Sequence, residues 1–444
     1  MSCRAPACAT AFPNLCHARM LVSNFPFPKF IAFALCVASA QLQAEEAPLR
    51  LSEALARAAG RNPGLLPHAY DERAADARLE QAGLRPNPTL EFEAENFAGT
   101  GVRQGVRSLE ATVQASQTIE RGGKREKRMA VASRERTTAA KEYAVRRNEV
   151  LAATAVAFVQ TLVAQQRVIL AEEPLKLARE IATAAEERVR AGAASPVESA
   201  RARAAIATAQ GELARAHSDR AAARARLAAT WGGALTEVSV VAGALTLPDA
   251  LPAESVLFDK LGGHPRLAWQ EAVIASRRAA LDWEKGQTAQ DITVGGGLRF
   301  FREGSDAGLV AGVSVPLPTR NRNQGNIRAA RENLAGAEQT VHAIEAELRV
   351  ELSAAWLEVS AAHAAVQNLR RDALPATTEA HAVVRRAYVE GQLPMIDVLD
   401  AQRALMSLRR ELLELEASFA VAHARAEALV DATFPQTSAL LSSR

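Results

Sequence analysis

The sequence predicts a mainly α-helical chain that also carries membrane-type β-strands and is built as a tandem duplication. Long stretches with apolar residues at helical spacing are separated by four short segments in which apolar and polar residues alternate. Residues 388–402, YVEGQLPMIDVLDAQ, align with residues 190–203, RAGAASPVESARAR, at a constant offset of 199 positions that places Gly192 on Gly391. Each repeat therefore reads as a short helix, two strands, a very long helix, a turn and another long helix.

This pattern divides the chain into five parts. We expect a signal peptide, a first repeat, a connection, a second repeat and a polar C-terminal tail, at residues 1–44, 45–231, 232–262, 263–432 and 433–444, respectively.

The first residues are typical of an export signal. Lys29 precedes the apolar run 30–40, and small residues suited to cleavage follow at Ala40 and, preferably, at Ala44. The part ahead of this run is unusually long, so translation could begin at Met20. No run of 18 apolar residues follows the signal, so no transmembrane helix is expected.

All four cysteines lie in the same segment, at positions 3, 8, 16 and 36. The mature chain would therefore hold no disulfide, no thiolate metal site and no cysteine nucleophile. Lipidation of Cys36 is disfavoured because the bulky Leu35 stands directly before it.

The four alternating segments lie at residues 90–97, 109–116, 292–300 and 309–315. In the first, Leu90, Phe92 and Ala94 occupy one face and three glutamates the other. With flanking residues, each segment reaches the roughly 9–11 residues that a tilted membrane strand needs. Two soluble hairpins packed on helices are the alternative interpretation.

Four strands cannot close a membrane barrel, because an open edge leaves backbone groups unpaired in lipid and the smallest barrels have about eight strands. Several copies of the chain must then contribute. Two copies would give about eight strands and three would give about twelve, with room for a channel. Strand spacing alone does not choose between them.

The helical stretches carry coiled-coil seams. From residue 123 to 190 the pattern would extend roughly 100 Å at 1.5 Å per residue. Apolar residues recur every seven positions before the first turn and after the second, at Val156, Val163, Leu170 and Leu177 and at Val398, Leu405, Leu412 and Phe419. Pro174 and Pro375 interrupt the long helices at similar places, and each is expected to bend its helix. A solvent-exposed coiled coil without function would show the same seam.

Enzyme and nucleic-acid functions find little support. The net charge is only +3 over 444 residues, which is no nucleic-acid signature. The histidines are scattered, residues 122–124 (GGK) lack phosphate-loop spacing, and residues 295–297 (GGG) lie inside a strand where close backbone approach explains them. We expect no enzymatic activity, no catalytic residue, no resident metal and no cofactor.

The duplicated plan resembles the TolC family of outer-membrane efflux proteins over essentially the whole mature chain. The segment YVEGQLPMIDVLDAQ is similar to the second periplasmic turn motif of that family. LRPNPTLEFEAENF at residues 84–97 and SQTIERGGKREKR at residues 116–128 are most like the CzcC branch, which serves heavy-metal cation pumps.

The resemblance implies a homotrimer. Each chain would give four strands to a shared 12-stranded outer-membrane β-barrel that continues as a periplasmic α-helical coiled-coil tunnel. The implied partners are a periplasmic membrane-fusion adaptor, an inner-membrane RND-type pump, the surrounding outer-membrane lipid and the exported divalent cations. Most of the chain would lie in the periplasm.

The resemblance also places Tyr388, Asp397 and Asp400 where the closed tunnel narrows, with Glu198 at the matching position of the first repeat. Asp397 and Asp400 are three residues apart and share a helix face, so three copies would make two carboxylate rings that concentrate cations. Two solvated acids near a helix N-terminus would show the same spacing.

The turns are implied to dock the adaptor through Gly192, Ala193, Ser195, Gly391, Gln392 and Leu393. Some relatives carry a basic residue just after the second turn glycine, able to latch neighbouring helices, whereas this chain has Leu393. Other contacts would then hold the closed state.

Two further hypotheses stay open. A drug-efflux or type I secretion channel would share the whole architecture and differ only in cargo. A periplasmic coiled-coil adaptor would also have a signal and a helical hairpin, but adaptors normally carry one hairpin and no alternating strands.

Overall fold

The computed structural model describes residues 48–431 and 433–441, so the predicted signal segment lies outside the described residues. The first repeat holds α1 (Leu51–Arg61), α2 (Leu66–Ala82), β1 (Thr89–Glu95), β2 (Glu110–Ile119), α3 (Lys124–Arg190) and α4 (Pro196–Ala229). After the short α5 (Glu254–Lys260), the second repeat holds α6 (Pro265–Gly286), β3 (Ile292–Phe301), β4 (Asp306–Ser314), α7 (Gln324–Asn368), α8 (Leu374–Val389) and α9 (Met395–Val430). A last helix, α10, spans Pro435–Leu440. The predicted strands, and the very long helix of 67 residues, are confirmed.

The strands form one antiparallel sheet in the order β1-β2-β3-β4. Its register aligns Phe92, Val113, Leu298 and Leu309 in a row across the sheet. Within the described part of the chain, β1 and β4 have no second neighbour, so each leaves one edge unpaired. This sheet joins the two repeats, because β2 of the first pairs with β3 of the second.

The two faces of the sheet differ in polarity. Apolar side chains stand in solvent on one face, with Leu90, Phe92 and Leu309 exposed by 75%, 71% and 89%. On the other face the guanidinium of Arg299 donates to Thr112 Oγ1 at 2.9 Å and to Glu110 Oε2 at 3.2 Å. An exposed apolar face opposite a hydrogen-bonded polar face is the arrangement expected of strands between lipid and water.

A close backbone approach explains the glycine run in β3. A methyl group on Gly297 would lie 2.1 Å from the carbonyl oxygen of Val113 on β2. Any larger residue would push the two strands apart, as expected where glycines permit close backbone approach.

The main core surrounds the middle of α3. Phe158, Val159 and Leu162 are fully buried and pack with side chains of α1, α4, α9 and the connection. By length and composition alone α3 could cross a membrane, but half of its most apolar stretch is buried inside the protein. Its apolar residues therefore serve the core.

The connection between the repeats packs across the helices. Val238 and Val241 are buried in the main core, and the side chain of Gln165 on α3 both donates to and accepts from the Val241 backbone at 3.0 and 2.8 Å. Farther along, His363 Nε2 lies 2.8 Å from the carbonyl oxygen of Pro248. These bonds tie the connection to both long helices.

The prediction of a polar C-terminal tail is wrong for residues 433–441. Phe434 is fully buried, and Glu427 on α9 accepts backbone N–H groups of Gln436 and Thr437 at 2.6 and 2.7 Å. Leu441 is buried in the main core. Phe434 and Leu441 therefore anchor this segment in the protein, and the carboxylate of Glu427 binds the first turn of α10. The polar composition of the segment gives no sign of these contacts.

The two prolines act differently. α3 continues through Pro174, whereas a π-helical turn at Leu369–Ala373 precedes Pro375, the second residue of α8. Proline has no N–H and crowds the carbonyl group four residues earlier, and the wider π turn accommodates both defects. The predicted interruption is therefore present in the second repeat, and in the first the helix is continuous.

His264 caps α6 and generates a pH-dependent prediction. Its Nδ1 accepts the backbone N–H of Arg266 at 3.1 Å, and burial together with the Arg266 charge lowers the pKa of His264 from 6.5 to about 4. Between these two pKa values the folded chain keeps the ring neutral while the unfolded chain protonates it. The contribution of the neutral ring to folding stability is therefore complete above pH 6.5 and falls as the pH drops toward 4.

We expect His264→Asn, which keeps a capping group that does not titrate, to lose less thermal stability than the native chain between pH 7 and pH 4.5. Circular dichroism at 222 nm in detergent would measure the unfolding temperature. His342→Asn, at an exposed histidine, is the matched control and should keep the native pH dependence. Equal pH dependence of native chain and His264→Asn would contradict the assignment.

Candidate functional site at the helical turns

Both long hairpins turn through the same backbone structure. Gly192 and Gly391 adopt φ of 72° and 78°. In the first turn the N–H of Ala193 donates to the carbonyl of Arg188 at 2.8 Å, and in the second the N–H of Gln392 donates to the carbonyl of Ala387 at 2.8 Å. This is a Schellman ending, in which a left-handed residue lets the chain satisfy the last helical carbonyls.

The helices that leave the turns start differently. Ser195 caps α4 by accepting the N–H of Val197 at 3.3 Å, whereas the matching residue before α9 is Pro394, which offers no side-chain cap. Five of the predicted docking residues are exposed, namely Gly192, Ala193, Ser195, Gly391 and Gln392. The sixth, Leu393, is half-buried. The surface of the two turns is thus free for contact.

Tyr388 lies behind the second turn in a small apolar core. It is only 7% exposed and packs with residues that come from α3, α4 and α9, including Ile181, Ala202 and Val398. Its hydroxyl is buried without a hydrogen-bond partner among the described residues. The guanidinium carbon of Arg188, from the first repeat, lies 5.3 Å from the ring centre, within the range of a cation–π contact.

The three predicted acids have different surroundings. Asp400 is exposed and pairs with Arg403 at 2.7 Å, whereas Asp397 is half-buried in the first turn of α9. Glu198 occupies the first turn of α4, and its Oε2 is buried without a partner in the described part of the chain. Asp397 and Glu198 each complement the N-terminal end of a helix dipole.

Ion pairs between the two hairpins were not predicted. Arg385 on α8 pairs with Glu180 on α3 at 3.3 Å, and Arg409 on α9 pairs with Glu173. Farther from the turns, Arg167 binds Glu414 through two nitrogens, at 2.9 and 2.6 Å. Exposed pairs of this kind contribute about 0–1 kcal/mol each, so they fix alignment more than stability. On α3 the paired residues Arg167, Glu173 and Glu180 are six to seven positions apart and lie beside the apolar seam. This spacing is the sequence signal that could have revealed the ion pairs.

Comparison with known families and proteins gives a consistent result. The sequence profile of the family "Outer membrane efflux protein" matches residues 51–233 and 271–430, together more than half of the chain. The cobalt-zinc-cadmium resistance protein CzcC of Cupriavidus metallidurans is 33% identical over 362 residues, which cover 82% of this chain and 85% of CzcC. The nickel and cobalt resistance protein CnrC of the same organism is 30% identical, with 78% of this chain and 82% of CnrC covered.

Solved structures of similar fold include the transmembrane channel protein CusC and the outer membrane channel CmeC. CusC superposes with a TM-score of 0.69 at 17% identity and covers 86% of this chain and 92% of its own. CmeC of Campylobacter jejuni superposes with a TM-score of 0.70 at 14% identity and covers 88% and 90%. At these identities the likeness shows the fold.

The turn geometry predicts opposite effects of glycine substitutions. At Gly192 and Gly391 no heavy atom lies within 4 Å of an added methyl group, so alanine would meet only the backbone penalty of a positive φ, about 1–2 kcal/mol. Gly211, inside α4, has the same free space but helical backbone, so alanine there should stabilise by about 1 kcal/mol.

Thermal unfolding of Gly391→Ala, Gly192→Ala and Gly211→Ala, each compared with the native chain, would show whether each substitution raises or lowers the unfolding temperature. Destabilisation by the first two and stabilisation by the third are expected. A stabilising Gly391→Ala would show that the turn does not need the left-handed conformation.

Proposed function

Because the chain belongs to the outer membrane efflux protein family, we propose that it is the outer-membrane exit duct of a tripartite system that exports divalent heavy-metal cations. The observation that carries this proposal is the four-stranded sheet with one exposed apolar face, whose strands lead directly into helices as long as α3. The sheet would cross the outer membrane and the helices would extend into the periplasm.

The unpaired edges of the sheet support assembly as a homotrimer. In lipid, the free N–H and C=O groups along β1 and β4 would each cost several kcal/mol, so another copy must pair with them. Three copies would supply the strands of a barrel wide enough for a channel, whereas two would give one filled by side chains.

The helices would form the wall of the periplasmic tunnel. At 1.5 Å per residue, α3 measures roughly 100 Å, about three times the thickness of a bilayer core. The two glycine turns would close the far end and meet a periplasmic membrane-fusion adaptor, which would connect the duct to an RND-type pump in the inner membrane. The exposed backbone at both turns leaves room for that contact.

The cations would encounter the acids just behind the turns. Asp397 and Asp400 on α9, with Glu198 on α4, would contribute carboxylates to the narrowed entrance, and Tyr388 would occupy the adjacent position. Arg403 partly offsets the charge of Asp400, so Asp397 and Glu198 would carry most of the attraction. In place of a basic residue after the second turn, Arg188 on Tyr388 and Arg385 on Glu180 would hold the closed state.

Heavy-metal cargo is proposed from the relatives. The names of CzcC and CnrC concern resistance to cobalt, zinc, cadmium and nickel, and NccC of Alcaligenes xylosoxydans xylosoxydans, at 29% identity, is named for nickel, cobalt and cadmium. A drug-efflux or type I secretion duct would need the same sheet and helices, so cargo must be decided by experiment.

A deletion strain, with and without the gene on a plasmid, should be grown on graded cobalt, zinc, cadmium, nickel, copper and silver salts beside a panel of hydrophobic drugs and dyes. We expect complementation to raise the inhibitory concentration of divalent cations several-fold and to leave that of drugs unchanged. Restored tolerance to drugs alone would support the efflux duct but contradict the proposal that it exports metal cations. Membrane fractionation would show that the complemented strain places the protein in the outer membrane.

Substitutions at the acids should change cation block of single channels in planar bilayers. Asp397→Asn with Asp400→Asn should weaken block by a trivalent hexammine cation by at least about fivefold, since each lost carboxylate removes about 1 kcal/mol of attraction for every unit charge of the cation at close range in water. Arg403→Gln is the matched control with the opposite sign, since it frees Asp400 and should strengthen block. Unchanged block in both variants would place these acids away from the conduction path.

A further inference from the structure

Four connections between helices and strands meet at one end of the sheet. β1 begins after α2, β2 ends before α3, β3 begins after α6 and β4 ends before α7. Since neighbouring strands are antiparallel, the helix-side ends of all four strands lie together at one end of the sheet. This helix-side edge runs across the strands and differs from the unpaired edges along β1 and β4. The connections comprise residues 83–88, 120–123, 287–291 and 315–323.

These connections carry an excess of positive charge. They contain four arginines, Arg85, Arg121, Arg320 and Arg322, and all four are exposed. The only acids in the same residues are Glu120 and Asp291.

Both acids are already neutralised by the start of α3. Glu120 pairs with Arg128 at 2.5 Å, and Asp291 pairs with Lys124 at 2.9 Å while it also accepts the backbone N–H of Arg121 at 3.1 Å. Among the described residues, no carboxylate lies within ion-pair distance of the four exposed guanidinium groups. The guanidinium of Arg322 donates to the backbone carbonyl of Pro318 at 3.3 Å, which is an uncharged acceptor.

The same edge is the boundary of the exposed apolar face. Leu84, Ile119 and Leu317 flank the arginines and are exposed by 55%, 49% and 79%. Arginine lays its aliphatic stem along apolar surface and keeps its charged group at the polar boundary. Its planar guanidinium matches the geometry of a phosphate group.

We propose that Arg85, Arg121, Arg320 and Arg322 form a basic collar that binds anionic phospholipid headgroups in the periplasmic leaflet of the outer membrane. The apolar face would contact the acyl chains of the same lipids, and the collar would contact their phosphates. This inference depends on the outer-membrane location of the chain and is independent of the cargo.

The distribution of the collar favours lipids over a single phosphate ion. The arginines lie on the first, second and fourth connections along the edge, and neighbouring strands are about 4.8 Å apart, so the collar follows the membrane boundary over roughly 15 Å. A row of this kind matches several adjacent headgroups. A free ion would require donors that converge on one point.

The test is native mass spectrometry of the full chain extracted from nanodiscs that contain either phosphatidylglycerol or zwitterionic phosphatidylcholine. The collar variant carries Arg85→Gln, Arg121→Gln, Arg320→Gln and Arg322→Gln. The matched control removes the same charge from exposed arginines on helices, with Arg179→Gln, Arg203→Gln, Arg215→Gln and Arg349→Gln.

We expect the native chain and the control to retain phosphatidylglycerol and the collar variant to lose it, with affinity falling by about fivefold for each arginine removed. Phosphatidylcholine should be retained weakly and equally by all three. A further variant with lysine at the four positions keeps the charge and should recover most of the phosphatidylglycerol retention, which separates lost binding from misfolding.

Three results would overturn the proposal. The first is equal phosphatidylglycerol retention by the collar variant and the control, and the second is equal loss from both. The third is displacement of the lipid by millimolar inorganic phosphate, which would show a site for the free anion instead of the membrane surface.

Discussion

The hydrogen-bonding demand of the strand backbone governs the rest of this structure. The sheet has two free edges, β1 and β4, and an apolar face that belongs in lipid, where unpaired N–H and C=O groups have no water to bind. One chain cannot pair all of these groups, so the sheet is part of a larger closed β-barrel. Because the strands lead directly into α3 and α7, a closed barrel of strands requires a closed barrel of helices next to it.

The helices stay aligned with the sheet because other parts of the chain hold them. The connection between the repeats packs into the main core and bonds to Gln165 and His363, and the last described residues dock through Phe434 and Glu427. These contacts lie away from the glycine turns, well inside α3 and near the C-terminal ends of α7 and α9. The distant turns have only a small core around Tyr388 and a few exposed ion pairs, so that end of the helices is held more weakly.

The two repeats have the same plan but are not equivalent. Their turns share one backbone geometry, yet α4 starts with a serine cap and α9 starts at a proline without one. α3 runs unbroken through Pro174, while a π turn separates α7 from α8. The second hairpin therefore has a less regular backbone and a less firmly capped end than the first.

The sequence by itself determined the elements that depend on local periodicity. Alternation over two residues predicted the strands and heptads predicted the seams, because both signals are short-range repeats of side-chain direction. The offset of 199 positions predicted the duplicated turns, because similar sequences adopt similar local structure. Only the tertiary structure decided which charges pair across hairpins, that Arg188 covers Tyr388, that Asp400 is offset by Arg403 and that residues 433–441 are docked. These contacts join residues whose separation along the chain is unrelated to any local period, or depend on rotamers that packing selects.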